Sequence, residues 1–378
     1  MPMTRSTVAH VNLAALQANY RAIVSHLAAE SAAPPEVIAV VKANAYGHGA
    51  QRVALALEQA GATMLACADI EEGVALRRAG VRVPILVFGA LSVSDLAGVV
   101  DHALTPTISS PFAAKAVEAA AARAGRTIDY HVKIDTGMNR LGFRHDNLAR
   151  TLPDVLASPH LRLDGAFTHF AGADVPESPL FETQRTRFDA ALRTLEGLGA
   201  TPRVRHAANS AALLRDSRVW YDAVRPGLLL YGIVPPPLAS TIALTPAMSL
   251  TSRVVTVKGL RPGEGVGYGW RYVAEEPRSI AVVPAGYADG LDTRLAGRGF
   301  VLVRGHRAPI VGAVSMDMMT IDVTGLGDVV PGDEVVIIGR QGDEGWQRID
   351  AREMAAVIGT IPWEVVCRLG TRVERVFE

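Results

Sequence analysis

Cysteine is scarce in this chain. Only Cys67 and Cys367 occur, far apart and outside any CxxC or Cys/His cluster, so neither a disulfide framework nor a structural zinc site is encoded. A reducing compartment fits that usage. Long apolar runs are also missing, since no segment reaches about 18 uncharged apolar residues. The opening stretch MPMTRSTVAHVNLAALQANY has neither the apolar centre nor the small-residue cleavage site of a signal peptide, and a cytoplasmic location is expected. Charge of one sign is not in excess either: 38 basic residues balance 38 acidic ones. That balance leaves no basic stripe for nucleic acid and no polybasic flank for anionic lipid, so a small molecule is the expected partner.

What is present is a large supply of core residues. At 378 residues and 49% hydrophobic content, the chain can build two well-packed domains. From residue 37 to about 233, short apolar runs alternate with Ala/Leu-rich stretches of helical period, the pattern of repeated βα units. Eight candidate strands lie at residues 37–44, 64–70, 83–89, 102–108, 129–137, 163–171, 203–210 and 224–233. Eight such units predict a TIM-type (β/α)8 barrel. After VPPP at 234–237 the texture changes to short β-branched runs between Gly, Pro and Asp turns, which predicts a mostly antiparallel β domain. DAREMAAVIG reads as a helix within it, and EVVCRLGTRVERVFE as a closing strand pair. The boundaries expected are 1–240 for the barrel and 241–378 for the β domain, with roughly the first ten residues pairing with the latter.

In a parallel barrel the C-terminal strand ends share one functional face. VIAVVKANAYGHGA puts Lys42 at the end of the first strand, where an amine held against apolar neighbours loses its proton more readily and becomes available for Schiff-base chemistry. A solvated strand-capping lysine is the plainer alternative. HVKIDTGMNRLGF brings Lys133, Asp135 and Arg140 to the same rim, and FTHFAGAD brings His169. HAANSAALL places Ser210 where a strand gives way to a helix, as an N-cap or as a phosphate ligand. VRPGLLLYG sets Arg225 in a strand just before Gly227, which permits close backbone approach to a ligand. Each residue has an ordinary structural explanation; their convergence on one face does not. In the second half, GEGVGYGWRY fails the GxGxxG spacing and instead presents Tyr268, while VSMDMMTIDV offers Met316 and Asp317 within an expected strand.

The ordered set AVVKANAYGHG, VKIDTGMNRLGF, FTHFAGAD, HAANSAALL, VRPGLLLYG, GYG, PAGYADG and SMDMMTIDV resembles the bacterial alanine racemases that depend on pyridoxal 5′-phosphate (PLP). The resemblance spans nearly the whole chain. It implies a barrel plus a C-terminal β domain, assembled as a head-to-tail homodimer with shared active sites. By this resemblance Lys42 holds PLP and acts as a base on one face of the substrate, and Tyr268 from the partner subunit acts on the other. Arg225 faces the pyridine nitrogen. Tyr46, Ser210 and the backbone at Gly227 and Leu228 bind the phosphate, and His169 lies beside the ring and supports Tyr268. Arg140 bonds the phenolic oxygen and orients the substrate carboxylate, with Lys133 at the position of a carbamylated lysine. Met316 contacts that carboxylate, with Tyr287 and Asp317 near the entrance. No metal is implied. The activity implied is interconversion of L- and D-alanine, supplying a peptidoglycan precursor. Two departures stand out: Ser315 precedes the MD pair where many members have cysteine, and Thr371 stands where some place a phosphate-binding tyrosine. Thr371 leaves more room near the substrate methyl, so serine and other small amino acids are expected as further substrates. The alternatives are a PLP-dependent decarboxylase of the same architecture and a non-catalytic PLP carrier. The first is disfavoured by the lack of a three-glycine tract and an EPGR-like motif, the second by residues 240–378.

Overall fold

A computed structural model describes residues 6–91, 96–342 and 347–378. The chain forms two compact units, one of Leu16–Ala45 with Ala50–Thr245, the other of Met1–Ala15, Tyr46–Gly49 and Pro246–Glu378.

The first unit is the expected barrel. Its parallel strands are Glu36–Val40, Met64–Cys67, Ile85–Val87, Thr105–Ile108, Ile128–Asp135, Leu161–Phe167, Val204–Asn209 and Ala223–Arg225. Each pairs with its neighbour in chain order, and the eighth pairs back onto the first through Ala223 with Glu36. Three strands, Met64–Cys67, Ile85–Val87 and Ala223–Arg225, are buried at every residue, because barrel core covers one face and helices the other. The fifth strand differs: buried His131 and Lys133 alternate with Tyr130, Val132 and Ile134. With a side-chain period of two, this strand sends its polar members to one face.

All but the fourth strand stop earlier than their sequences suggest, the second at Cys67, the third at Val87, the fifth at Asp135 and the seventh at Asn209. The first ends at Val40, and Ala43, Asn44 and Ala45 follow with φ of 52°, 53° and 54°, a turn of left-handed helix. Such backbone costs roughly 1–2 kcal/mol per non-glycine residue and persists only where the surroundings enforce it. Here Ala43 N donates to the Glu72 carboxylate at 2.6 Å and Ala50 N to Asn44 Oδ1 at 2.8 Å. The sixth strand ends at Phe167, and the eighth ends at Arg225, after which Leu228–Tyr231 coil into a 3-10 turn.

The second unit is built on a mostly antiparallel sheet. In spatial order its strands are Thr256–Leu260, Arg278–Val283, Met319–Asp322, His306–Val311, Phe300–Val303, Glu334–Gln341, Met248–Arg253, Val8–Val11 and Glu374–Phe377. Only the last pair runs parallel. The expected helix is Ala351–Ile358, capped by Asp350, whose carboxylate accepts from the amides of Arg352 and Glu353 at 2.9 Å. The closing segment is not a strand pair. Pro362–Cys367 is a helix, with Pro362 at its first turn, and Glu374–Phe377 alone is extended. Proline at a helix start fits without loss, and a run as short as EVVC carries too little periodicity to separate helix from strand.

Candidate active site

The rim of the barrel collects the basic residues singled out by sequence. Lys42 stands two residues beyond the first strand and opens the left-handed turn, which Glu72 pins by accepting from the Ala43 and Ala68 amides at 2.6 and 2.7 Å. Lys133 lies in the fifth strand and is 5% exposed; Arg225 ends the eighth and is 4% exposed. Arg140 sits exposed in the loop beyond the fifth strand. His169 follows the sixth.

These groups feel one another. Burial, then the charges of Arg140, Arg225 and Lys42, push the Lys133 amine down to about 8, against the pull of Asp135. Burial, then Arg225, Lys133, Lys42 and Arg140, hold His169 well below the usual imidazole range, so its ring is neutral. Asp135 is the carboxylate in this company, and its Oδ1 already accepts from the Gly137 and Asn139 amides at 3.0 Å. Arg225 donates to His206 Nδ1 at 2.8 Å and to the carbonyls of Thr168 and Ala207 at 2.8 and 3.0 Å, all uncharged acceptors. Burying two cations this close, Lys133 and Arg225, is costly without an anionic ligand.

Beside it is a polar turn. Asn209 caps the helix Ser210–Arg215 by accepting from Ala212 N at 2.9 Å, which sets buried Ser210 at the helix start. Gly227 N donates to Ser210 Oγ at 2.9 Å, and Leu228 begins the 3-10 turn that follows.

The remaining predicted residues belong to the second unit. Tyr46 is buried there, its phenol pushed up by burial and then by the charge of Cys367. The glycine after it, Gly47, has φ of 80°, and an added Cβ would fall 2.2 Å from the Val366 carbonyl oxygen, so both backbone and space require glycine. Tyr268 starts a short turn flanked by Gly267 and Gly269, both at positive φ, and is 77% exposed. Met316 and Asp317 do not lie in a strand, which begins only at Met319. Ser315 closes them into a turn by accepting from Met318 N at 3.1 Å and donating to the Met318 carbonyl at 2.8 Å. Tyr287 and Ala288 donate their amides to the carbonyls of Ser315 and Met316, tying the Tyr287 loop to that turn. Arg372, next to Thr371, bonds Asp317 at 2.7 Å.

The family model for the alanine racemase N-terminal domain matches residues 11–235, and that for the C-terminal domain matches residues 247–377. This chain belongs to the alanine racemase family. It is 41% identical over 374 residues to an alanine racemase of Symbiobacterium thermophilum, covering 99% of this chain and 97% of that one. With an alanine racemase of Carboxydothermus hydrogenoformans it shares 41% identity over 378 residues, covering 99% of this chain and 100% of the relative. Among solved structures, the alanine racemase of D-cycloserine-producing Streptomyces lavendulae superposes with a TM-score of 0.93 at 36% identity, covering 100% of this chain and 98% of that one. The Bacillus anthracis alanine racemase with bound L-Ala-P gives 0.90 at 36% identity, covering 100% and 96%. The protein is an isomerase of this family, and the decarboxylase and carrier readings are set aside.

Sequence reasoning passed over Glu72, which braces the Lys42 turn, and the histidines behind Arg225. Polar residues at alternate positions of otherwise apolar strands were the available signal for the histidines. No helix among the described residues is long and apolar enough to cross a membrane.

Proposed function

We propose that this cytoplasmic enzyme interconverts L- and D-alanine with PLP bound at the barrel rim, in a homodimer whose subunits complete each other's sites. The observation that carries the reading is the basic cluster of half-buried Lys42 with buried Lys133 and Arg225, beside neutral His169. The donors present fit PLP: an amine at the end of the first strand for covalent attachment, a Ser210–Gly227–Leu228 turn for a phosphate, and buried Arg225 for the ring nitrogen. Tyr46 would add a phenol to the phosphate, and Arg140 a guanidinium to the phenolic oxygen and the substrate carboxylate. When bound, PLP supplies an electron sink for the charge left at Cα by proton removal.

The chain's own residues then have distinct tasks. Arg225 carries no acceptor, so it pairs only with an unprotonated ring nitrogen and limits electron withdrawal there. Inversion at Cα needs a proton removed on one face and returned on the other. Lys42 Nζ would serve one face and the phenol of the partner subunit's Tyr268 the other, with His169 supporting that phenol. The partner's Met316 would meet the substrate carboxylate through its amide, with Tyr287 and Asp317 lining the approach. The homodimer is supported by Tyr268, Trp270, Tyr287, Met316 and Met318, large side chains from 45% to 77% exposed in the second unit. Exposed apolar surface of this kind marks an interface.

Lys133 is suited to carbamylation. Its buried ammonium is disfavoured among cations, whereas addition of its neutral amine to carbon dioxide, with loss of one proton, places an anion between them. Thr371, smaller than tyrosine, would admit serine.

The deciding experiment measures PLP binding and racemisation together. The pure protein should show a visible absorption band that borohydride fixes onto Lys42, and should abolish the optical rotation of L-alanine; a colourless protein that PLP cannot reconstitute overturns the reading. A serine rate at background would exclude the wider specificity.

A further inference from the structure

Behind Arg225 a hydrogen-bonded chain crosses the barrel interior. Arg225 Nη1 meets His206 Nδ1 at 2.8 Å, His206 Nε2 meets His131 Nδ1 at 2.8 Å, and His131 Nε2 meets Asp164 Oδ2 at 3.4 Å. Arg203 then holds both Asp164 oxygens at 2.8 Å. Both imidazoles are fully buried. The two ends determine the middle. Arginine only donates, so His206 Nδ1 must accept and its proton sits on Nε2. That proton goes to His131 Nδ1, so the His131 proton also sits on Nε2, and it goes to the carboxylate, which only accepts. Every bond therefore points from Arg225 towards Asp164. Burial, first, and the charge of Arg225 keep His206 well below the usual imidazole range, and burial lowers His131 against the pull of Asp164, in keeping with two neutral rings.

Two further features serve this chain. Gly165 lies within the sixth strand without a left-handed backbone, yet an added Cβ would stand 2.6 Å from His131 ring atoms. The ring occupies the space that a side chain would fill. The strand register also slips there: Tyr130 pairs with Leu163 but His131 with Gly165, which leaves Asp164 as the extra residue of a bulge. Bulges re-aim side chains, and this one brings a carboxylate to His131 Nε2.

We propose that His206, His131 and Asp164 are positioning residues that orient Arg225 towards the ring nitrogen of the cofactor while leaving its charge uncancelled. A carboxylate bonded directly to Arg225 would fix the guanidinium but neutralise it at the pocket. Two neutral imidazoles fix it and keep the Asp164 carboxylate, already paired with Arg203, out of direct contact with it. The proposal rests on the PLP reading for its purpose, but its hydrogen-bond polarity is testable without it.

The test uses the intact dimer with 15N-labelled histidine, resonances being assigned with His131→Gln and His206→Gln. Both rings should carry the proton on Nε2 and should not titrate between about pH 6 and 9. Protonation of either Nδ1, or titration in that window, overturns the chain. Asp164→Asn keeps an acceptor but removes the charge. It should lower kcat about tenfold with KM nearly unchanged, and should displace the pH dependence of the cofactor absorption band. Wild-type kcat and an unmoved band in a folded Asp164→Asn protein overturn the positioning role. If the wild-type protein shows no cofactor band at all, the PLP reading fails, and the nitrogen spectra still decide the chain.

Discussion

Gly227 gives its backbone N–H to Ser210 Oγ at 2.9 Å, joining the turn after the eighth strand to the helix start after the seventh. Because Oγ accepts this bond, its own hydrogen is directed elsewhere, where it would meet the proposed phosphate. Ser210→Ala should leave a buried amide without its partner, destabilising the protein by about 1–3 kcal/mol. Its PLP dissociation constant, followed by spectral titration, should rise about tenfold, the loss of about 1.4 kcal/mol that one hydrogen bond to a charged group can carry. An unchanged constant removes Ser210 from the phosphate site.

Lys133 makes stability depend on pH in the PLP-free, carbon-dioxide-free protein. Burial and the neighbouring charges of Arg140, Arg225 and Lys42 place its amine at about 8, whereas an unfolded lysine sits at about 10.4. Between these values the unfolded chain binds more protons than the folded one, so stability rises with pH through that window. The cost of burying the ammonium is fully present below about pH 8 and gone above about pH 10. Lys133→Met should therefore raise the urea midpoint at neutral pH and flatten this slope. Equal slopes in the two proteins refute the assignment. Added bicarbonate should stabilise the wild type and leave Lys133→Met unaffected.

The barrel was legible because short, largely buried strands alternate eight times with helical stretches. Lys42, His169, Ser210 and Arg225 were legible for a related reason: parallel strands deliver all their C-terminal ends to one rim. The left-handed turn at Ala43–Ala45 was hidden, since alanine does not announce positive φ, a lone asparagine does so only weakly, and the contacts that enforce it, from Glu72 and Ala50, are not adjacent in sequence. His131, His206 and Asp164 were hidden because their partnership depends on the register of three strands and on a bulge. Pro362–Cys367 was misread because six residues do not complete two helical turns.

Tyr268 separates stability from chemistry. At 77% exposed it contributes little to the folded subunit, so Tyr268→Phe should unfold at the wild-type midpoint. Removing one of two bases should lower racemisation by about 10²–10⁴-fold. In deuterated water, one alanine enantiomer should still exchange its α-hydrogen through Lys42 without inverting. Racemisation at the wild-type rate in this variant excludes the two-base assignment.

Mixed dimers decide whether the two bases come from different chains. Let Lys42→Ala and Tyr268→Phe proteins, each inactive alone, be dissociated together and reassembled. A shared site in a symmetric dimer takes its lysine from one chain and its tyrosine from the other. In each heterodimer one site then combines both substitutions, while the second takes Lys42 from the Tyr268→Phe chain and Tyr268 from the Lys42→Ala chain and is intact. Random reassembly makes half of the dimers heterodimers, so activity should return to about one quarter of wild type. If both bases belonged to one chain, every site would carry a defect. No activity would then return, although sedimentation would show the heterodimer formed.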